Sequence, residues 1–167
     1  LGLPVTCVTN PAVGREDDVN VPPGTPVIDA NGHTVLPGLI DMHVHLHIVG
    51  HGDYKRWDDL YGTKDASVVM PIAARQLLSA GVTSARDLGA RLDDILSVKR
   101  RIAAGEIPGP RLFVSGPFIQ HEAYERYEEA FRWGVSGAED ARQKVQRIID
   151  AGVDVVKLID QDQMTDA

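Results

Sequence analysis

The 167-residue sequence predicts an α/β fold with a parallel sheet, half of a (β/α)8 TIM-type barrel. Three patterns predict it. Short apolar runs at 82–86, 111–115 and 153–159 follow a first strand at 38–47, and amphipathic stretches with helical spacing separate them. One segment repeats: Leu77-Leu78-Ser79-Ala80-Gly81-Val82-Thr83 and Ile148-Ile149-Asp150-Ala151-Gly152-Val153-Asp154 each leave a helix through glycine and enter a strand at once. No glycine-rich phosphate loop follows the first strand, which argues against an open, doubly wound sheet. Four strands and three helices make half of a barrel whose full length is about 250 residues.

Residues 1–36 come first and carry turn chemistry with short β-type runs. Val27-Ile28-Asp29-Ala30 and His33-Thr34-Val35-Leu36 flank Asn31-Gly32, the signature of a type I′ hairpin. His33, beside that turn, reads as an exposed hairpin residue. The barrel segment occupies residues 37–167. Its three helices show apolar stripes: Val69, Ile72, Ala73, Leu77 and Ala80; Leu92, Ile95, Leu96 and Ala103; Ala141, Val145, Ile148 and Ile149. Pro71 suits a first helical turn, and Ser136 with Glu139 reads as a capping box ahead of the third helix.

The richest stretch is Pro37-Gly38-Leu39-Ile40-Asp41-Met42-His43-Val44-His45-Leu46-His47. Strand alternation puts Ile40, Met42, Val44 and Leu46 on one face, which asks for burial. The other face carries Asp41, His43, His45 and His47. Histidines two apart on a strand stand about 6.5–7 Å apart at the backbone and point the same way, so their nitrogens can converge on one metal ion.

Pro-Gly-Leu-Ile-Asp-Met-His-Val-His-Leu resembles the first barrel strand of the amidohydrolase superfamily of metal-dependent hydrolases. The resemblance implies that His43 and His45 bind a divalent metal, zinc being the first choice. Asp41 would orient a ligand imidazole, and His47 has no fixed family role. Lys157, in Val155-Val156-Lys157-Leu158-Ile159, resembles the family's fourth-strand lysine, whose carboxylated form bridges two metal ions. Burial favours a neutral amine, the form that reacts with carbon dioxide. Gly81-Val82-Thr83-Ser84-Ala85-Arg86-Asp87-Leu88-Gly89 resembles the imidazolonepropionase and dipeptidase-like branch, although a local Arg86–Asp87 ion pair explains it equally well. The early strands would then be a remnant of a small β-sandwich built from both chain ends.

The implied chemistry is hydrolysis of amide- or peptide-type C–N bonds in a small molecule by a metal-activated hydroxide. A dipeptidase-like enzyme with two metals is the first reading. A mononuclear cyclic-amide or imidazolone hydrolase is the second, and a non-catalytic half-barrel that needs a partner chain is the third. The family takes two more histidines and a general-base aspartate from strands five, six and eight. None is in this sequence, so the substrate and the base are unreadable. The segment alone is expected neither to fold stably nor to catalyse without the missing C-terminal half of the barrel. The absence of an initiator Met and the abrupt end at Ala167 point the same way.

Composition narrows the class. A net charge of −7 with no basic cluster beyond Lys99-Arg100-Arg101 argues against nucleic acid. No apolar run reaches the ~20 residues of a membrane helix. One cysteine, Cys7, forbids an internal disulfide and suits the cytoplasm, while a secreted or periplasmic protein that has lost its leader is also compatible. Eight of nine aromatic residues fall in two long loops: Tyr54, Trp57 and Tyr61 after the first strand, and Phe118, Tyr124, Tyr127, Phe131 and Trp133 after the third. Tyr54, Trp57, His51 and His121 are candidate substrate contacts. Tyr124, Tyr127 and Phe131 have helical spacing, and such a helix could pack on the barrel or in a homo-oligomer contact.

Overall fold

A computed structural model of the protein describes residues 12–48, 50, 52–121 and 130–159. The chain divides into two compact units, Leu1–Pro37 and Gly38–Ala167. In the first unit the Asn31-Gly32 turn forms with both residues at positive φ, 49° and 75°, and His33 N–H donates to Ala30 O at 2.8 Å. The expected hairpin stops there. Its flanks form no strand ladder among the described residues, and Val27, Ile28 and Val35 are exposed. A turn fixes register, but a two-stranded ribbon with no apolar face to pack on is marginal in water. No sandwich remnant is therefore seen in this unit's described residues.

The second unit is built on three parallel strands, β1 (Leu39–Val44), β2 (Val82–Asp87) and β3 (Arg111–Val114), in the order β1-β2-β3. Val44 pairs with Asp87 and Asp87 with Val114, so the three strands end level. That register gathers the loops after all three strands at one end. Helix α1 (Tyr54–Tyr61) and helix α2 (Met70–Ser79) connect β1 to β2, and α3 (Leu92–Ala103) connects β2 to β3. The stretch with Tyr54, Trp57 and Tyr61 reads as a long loop, yet α1 forms there: Asp53 Oδ1 caps it by accepting Arg56 N–H at 3.0 Å. A one-turn wide helix at Asp65–Val69 leads into α2, whose first turn holds Pro71.

Helix α3 buries Leu92, Ile95, Leu96 and Val98 against the sheet. It places Asp93 and Asp94 in its first turn and Arg100 and Arg101 in its last, which complements the helix dipole. The core also holds Leu46, Met70, Val114, Ile119 and Ile148. Gly81 and Gly152 take positive φ, 87° and 93°, as the repeated helix-to-strand link requires.

Three expectations need correction. The first concerns the segment after β3, which is no plain loop. Phe118 lies in strand β4 (Phe118–Gln120) and Trp133 in the parallel strand β5 (Arg132–Gly134). Tyr124 and Tyr127 lie outside the described residues.

The second concerns 153–159, which forms no full strand. It runs beside β3 and β4 through Asp154 N–H to Val114 O (2.9 Å), Ile119 N–H to Lys157 O (2.9 Å) and a single bridge, Ile119–Leu158. Its pairing partner changes from β3 to β4 across Gly116-Pro117, which breaks the ladder.

The third concerns the capping box expected before α4 (Ala138–Asp150): the N-cap is Gly137, with no side-chain cap bond, and Asp140 instead of Glu139 reaches back to Ser136. Asp140 Oδ2 takes both the N–H and the hydroxyl of Ser136, at 3.0 and 3.2 Å.

Candidate metal centre

Strand β1 stops at Val44, and His45–His47 turn away from it. The two leading imidazoles nevertheless meet, with His43 Nε2 and His45 Nε2 3.2 Å apart. Two nitrogens bound tetrahedrally to one ion at about 2.0–2.1 Å would stand about 3.3 Å apart, so the pair fits a shared ion. His45 Nδ1 lies 3.2 Å from Gly89 O. A carbonyl only accepts, so Nδ1 carries the proton and Nε2 keeps its lone pair for a ligand bond. Burial holds the His45 pKa below its ordinary value, the bond to Gly89 opposes this, and the charges of His43, Lys157 and Arg132 add to the lowering.

His47 lies deeper. Its ring sits 4.8 Å from Phe131 and 6.1 Å from His45, and Nδ1 is buried with no hydrogen-bond partner among the described residues. Burial, with the charges of His45, Arg91 and Arg132, pushes its pKa down to about 3, so the ring is neutral.

These histidines line a cavity of about 480 Å³. Lys157, half-buried, lines the same cavity. So do Tyr54, Trp57 and Tyr61 from α1, Phe118 from β4, Phe131, and Leu158 and Ile159. Trp57 stacks on Tyr61 with ring centroids 5.8 Å apart. Asp58 and Asp65 complete the wall, and both are turned to Arg91: Asp58 by a short ion pair and Asp65 at 3.6 Å. Burial outweighs that guanidinium and raises the Asp65 pKa to about 7.

The other candidates are placed differently. Asp41 bonds no imidazole among the described residues; its Oδ1 accepts the backbone N–H of His43 at 3.0 Å, so any orienting acts through the chain. His121 is exposed at the end of β4 and does not line the cavity, while His51 lies outside the described residues. Arg86 and Asp87 form no ion pair, because adjacent strand residues face opposite ways. Arg86 Nε donates to Met42 O at 2.8 Å, and Asp87 turns inward. No cluster of three or more His, Cys, Asp or Glu suited to a metal occurs among the described residues. The donors brought together are thus the His43 and His45 imidazoles, with His47 and Lys157 lining the same cavity.

Sequence reading missed helix α1 and the Arg91 clamp. The signal for α1 was present: Asp53 as a cap, followed by Tyr54, Trp57 and Tyr61 at helical spacing. The clamp joins residues far apart in sequence and left no local pattern.

The model of the Amidohydrolase family matches residues 34–167. The chain belongs to this family. Among solved structures, a prolidase complexed with N-methylphosphonate-L-proline superposes with a TM-score of 0.62 at 27% identity, covering 84% of this chain and 37% of that one. A molinate hydrolase superposes with a TM-score of 0.57 at 32% identity, covering 65% of this chain and 24% of that one. A dihydroorotase of Geobacter metallireducens is 57% identical over 49 residues, 29% of this chain and 11% of that protein. The chain therefore spans about a tenth of this curated relative and between about a quarter and two fifths of these structures. Among the described residues, no helix is long and apolar enough to cross a membrane.

Proposed function

We propose that this chain supplies strands one to four of a (β/α)8 barrel, and that the complete protein hydrolyses C–N bonds of small amides or dipeptides at a divalent metal. The observation that carries this reading is the His43–His45 nitrogen pair at 3.2 Å, opening on an aromatic cavity. His43 and His45 would hold the ion, and two neutral imidazoles suit zinc. Lys157, carboxylated, would hold a second ion beside it. The metal supplies Lewis acidity, polarising a carbonyl and making water a better nucleophile near neutral pH.

The remaining work falls to the chain's own residues. Gly89 O holds the proton on His45 Nδ1 and so keeps Nε2 basic. Tyr54, Trp57 and Phe118 exclude water and offer flat apolar surface, which favours a substrate with an apolar or aromatic group beside the scissile bond. Arg91 ties Asp58 on α1 to the loop before α3, fixing this aromatic wall in place. The remaining ligands and the general base would come from the second half of the barrel.

A second reading, a cyclic-amide hydrolase with one metal, draws on the local 57% identity to a dihydroorotase. The test is an assay of the complete, zinc-loaded protein on dipeptides with apolar residues and on cyclic amides. Chelator-sensitive cleavage of the dipeptides supports the first reading, and cleavage of cyclic amides alone supports the second. No cleavage of either by fully loaded protein contradicts both.

A further inference from the structure

Asp87 ends β2 fully buried, and nothing in the proposed chemistry uses it. Its Oδ2 accepts the backbone N–H of Leu46 at 2.8 Å, and its Oδ1 that of Gly89 at 3.1 Å. Leu46 sits between His45 and His47. Gly89 provides the carbonyl that takes His45 Nδ1. One carboxylate therefore pins both segments that set the His45 ring, the segment that carries it and the segment it bonds.

The anchor itself is firmly held. Asp87 O accepts Ser115 N–H at 3.0 Å, and Leu88 N–H donates to Val44 O at 3.1 Å. Gly89 has no slack on its other side, since a Cβ there would lie 2.1 Å from the Phe118 ring. Phe118 in turn stands edge-on to His45, with centroids 5.5 Å apart.

The geometry points to Asp87 as a positioning residue for the metal-binding imidazole. It holds the Gly89 carbonyl where only the Nδ1-protonated tautomer of His45 fits, which leaves the Nε2 lone pair facing the cavity. The other tautomer would set two acceptors against each other. The consequence for metal affinity rests on the metal reading above; the tautomer itself does not.

Side-chain ¹⁵N NMR of the histidines in the complete, metal-free protein at pH 8 reads the tautomer directly. The variants are Asp87→Asn, whose amide turns a donor toward one of the two N–H groups, and Asp154→Asn as a control. Asp154 also accepts a backbone N–H, that of Val114 at 2.7 Å, but touches neither histidine segment. Wild type should show a single Nδ1–H form of His45. Asp87→Asn should show a mixture and lose about 10–100-fold in zinc affinity, measured against a competing chelator. Asp154→Asn should keep the tautomer and the affinity even where its melting temperature falls. Asp87→Ser, smaller and still polar, carries the same readouts should Asp87→Asn not fold. A folded Asp87 variant with one tautomer and unchanged zinc affinity would overturn the proposal. Wild type that binds no zinc, yet shows the single tautomer that Asp87→Asn mixes, would sink the metal reading and support the positioning role.

Discussion

Strands β1 and β2 are both six residues long, parallel and adjacent, yet they live in different surroundings. In β2, Val82, Ala85 and Asp87 are buried, with a strand on either side. In β1, Ile40 is 67% exposed and Met42 54%, and the strand is paired on one side only among the described residues. The apolar alternation of β1 states what the strand asks for, and its neighbours decide whether it is met. The contrast vanishes at the strand ends. There Leu46 is buried, Val44 pairs with Asp87, and the histidine turn is bonded into β2. The polar end of β1 is thus fixed by its bonds to β2, whereas its apolar face has no such support among the described residues.

The largest expected effect lies at that shared end. Lys157→Ala in the complete protein should lower activity by more than the about 10–100-fold that losing an outer partner of a metal site costs. It should drop one metal per chain, and short carboxylic acids should restore part of the rate. Unchanged rate and stoichiometry would leave Lys157 a rim lysine.

The contrast between the strands is broken or kept by Ile40→Ala. If further strands cover β1 in the complete protein, this variant should cost about 2–5 kcal/mol, as a core truncation does. Urea unfolding measures it. A cost within about 0.5 kcal/mol would mean that β1 remains an open edge.

Acid–base behaviour sharpens the comparison further. The Asp65 pKa is raised from 3.8 to about 7, so between those values the folded protein holds a proton that the unfolded chain has released. Raising the pH through that window therefore removes stability. Asp87, raised to about 7 by burial, acts in the same sense, while His47, lowered to about 3, acts oppositely below its ordinary 6.5. Asp65→Asn should lose about 1–3 kcal/mol less than wild type between pH 4 and pH 7, one pKa unit being about 1.4 kcal/mol. An identical pH slope in the two proteins would show that Asp65 titrates normally. The smallest effect belongs to the surface: Lys55–Asp59 at 2.6 Å is well exposed, and Asp59→Asn should change stability by less than about 0.5 kcal/mol.

The parallel order, the three helices and the His43–His45 pair were legible, because each rests on local periodicity; the buried side of α2 was not, since Met70 and Ala74 are buried while Ile72 is exposed. The fourth strand was legible as an apolar run, yet its ladder shrinks to a bridge where the neighbouring chain breaks at Gly116-Pro117. Residues 27–36 show the same limit: Asn31-Gly32 makes its turn unaided, but strands need partners. Asp87 was read in an Arg-Asp pair, where alternation alone would have separated the two side chains. What it bonds, Leu46 and Gly89, depends on how β1 and β2 end level, which no short window of sequence contains.

The central claim is that His43 and His45 hold one divalent ion together. X-ray absorption at the zinc edge of the complete, zinc-loaded protein tests it most directly, with wild type compared with the His43→Ala/His45→Ala double variant. Wild type should show imidazole nitrogens at about 2.0–2.1 Å, and the double variant should lose both that scattering and at least one zinc per chain. Full zinc content with an unchanged imidazole shell in the double variant would contradict the account.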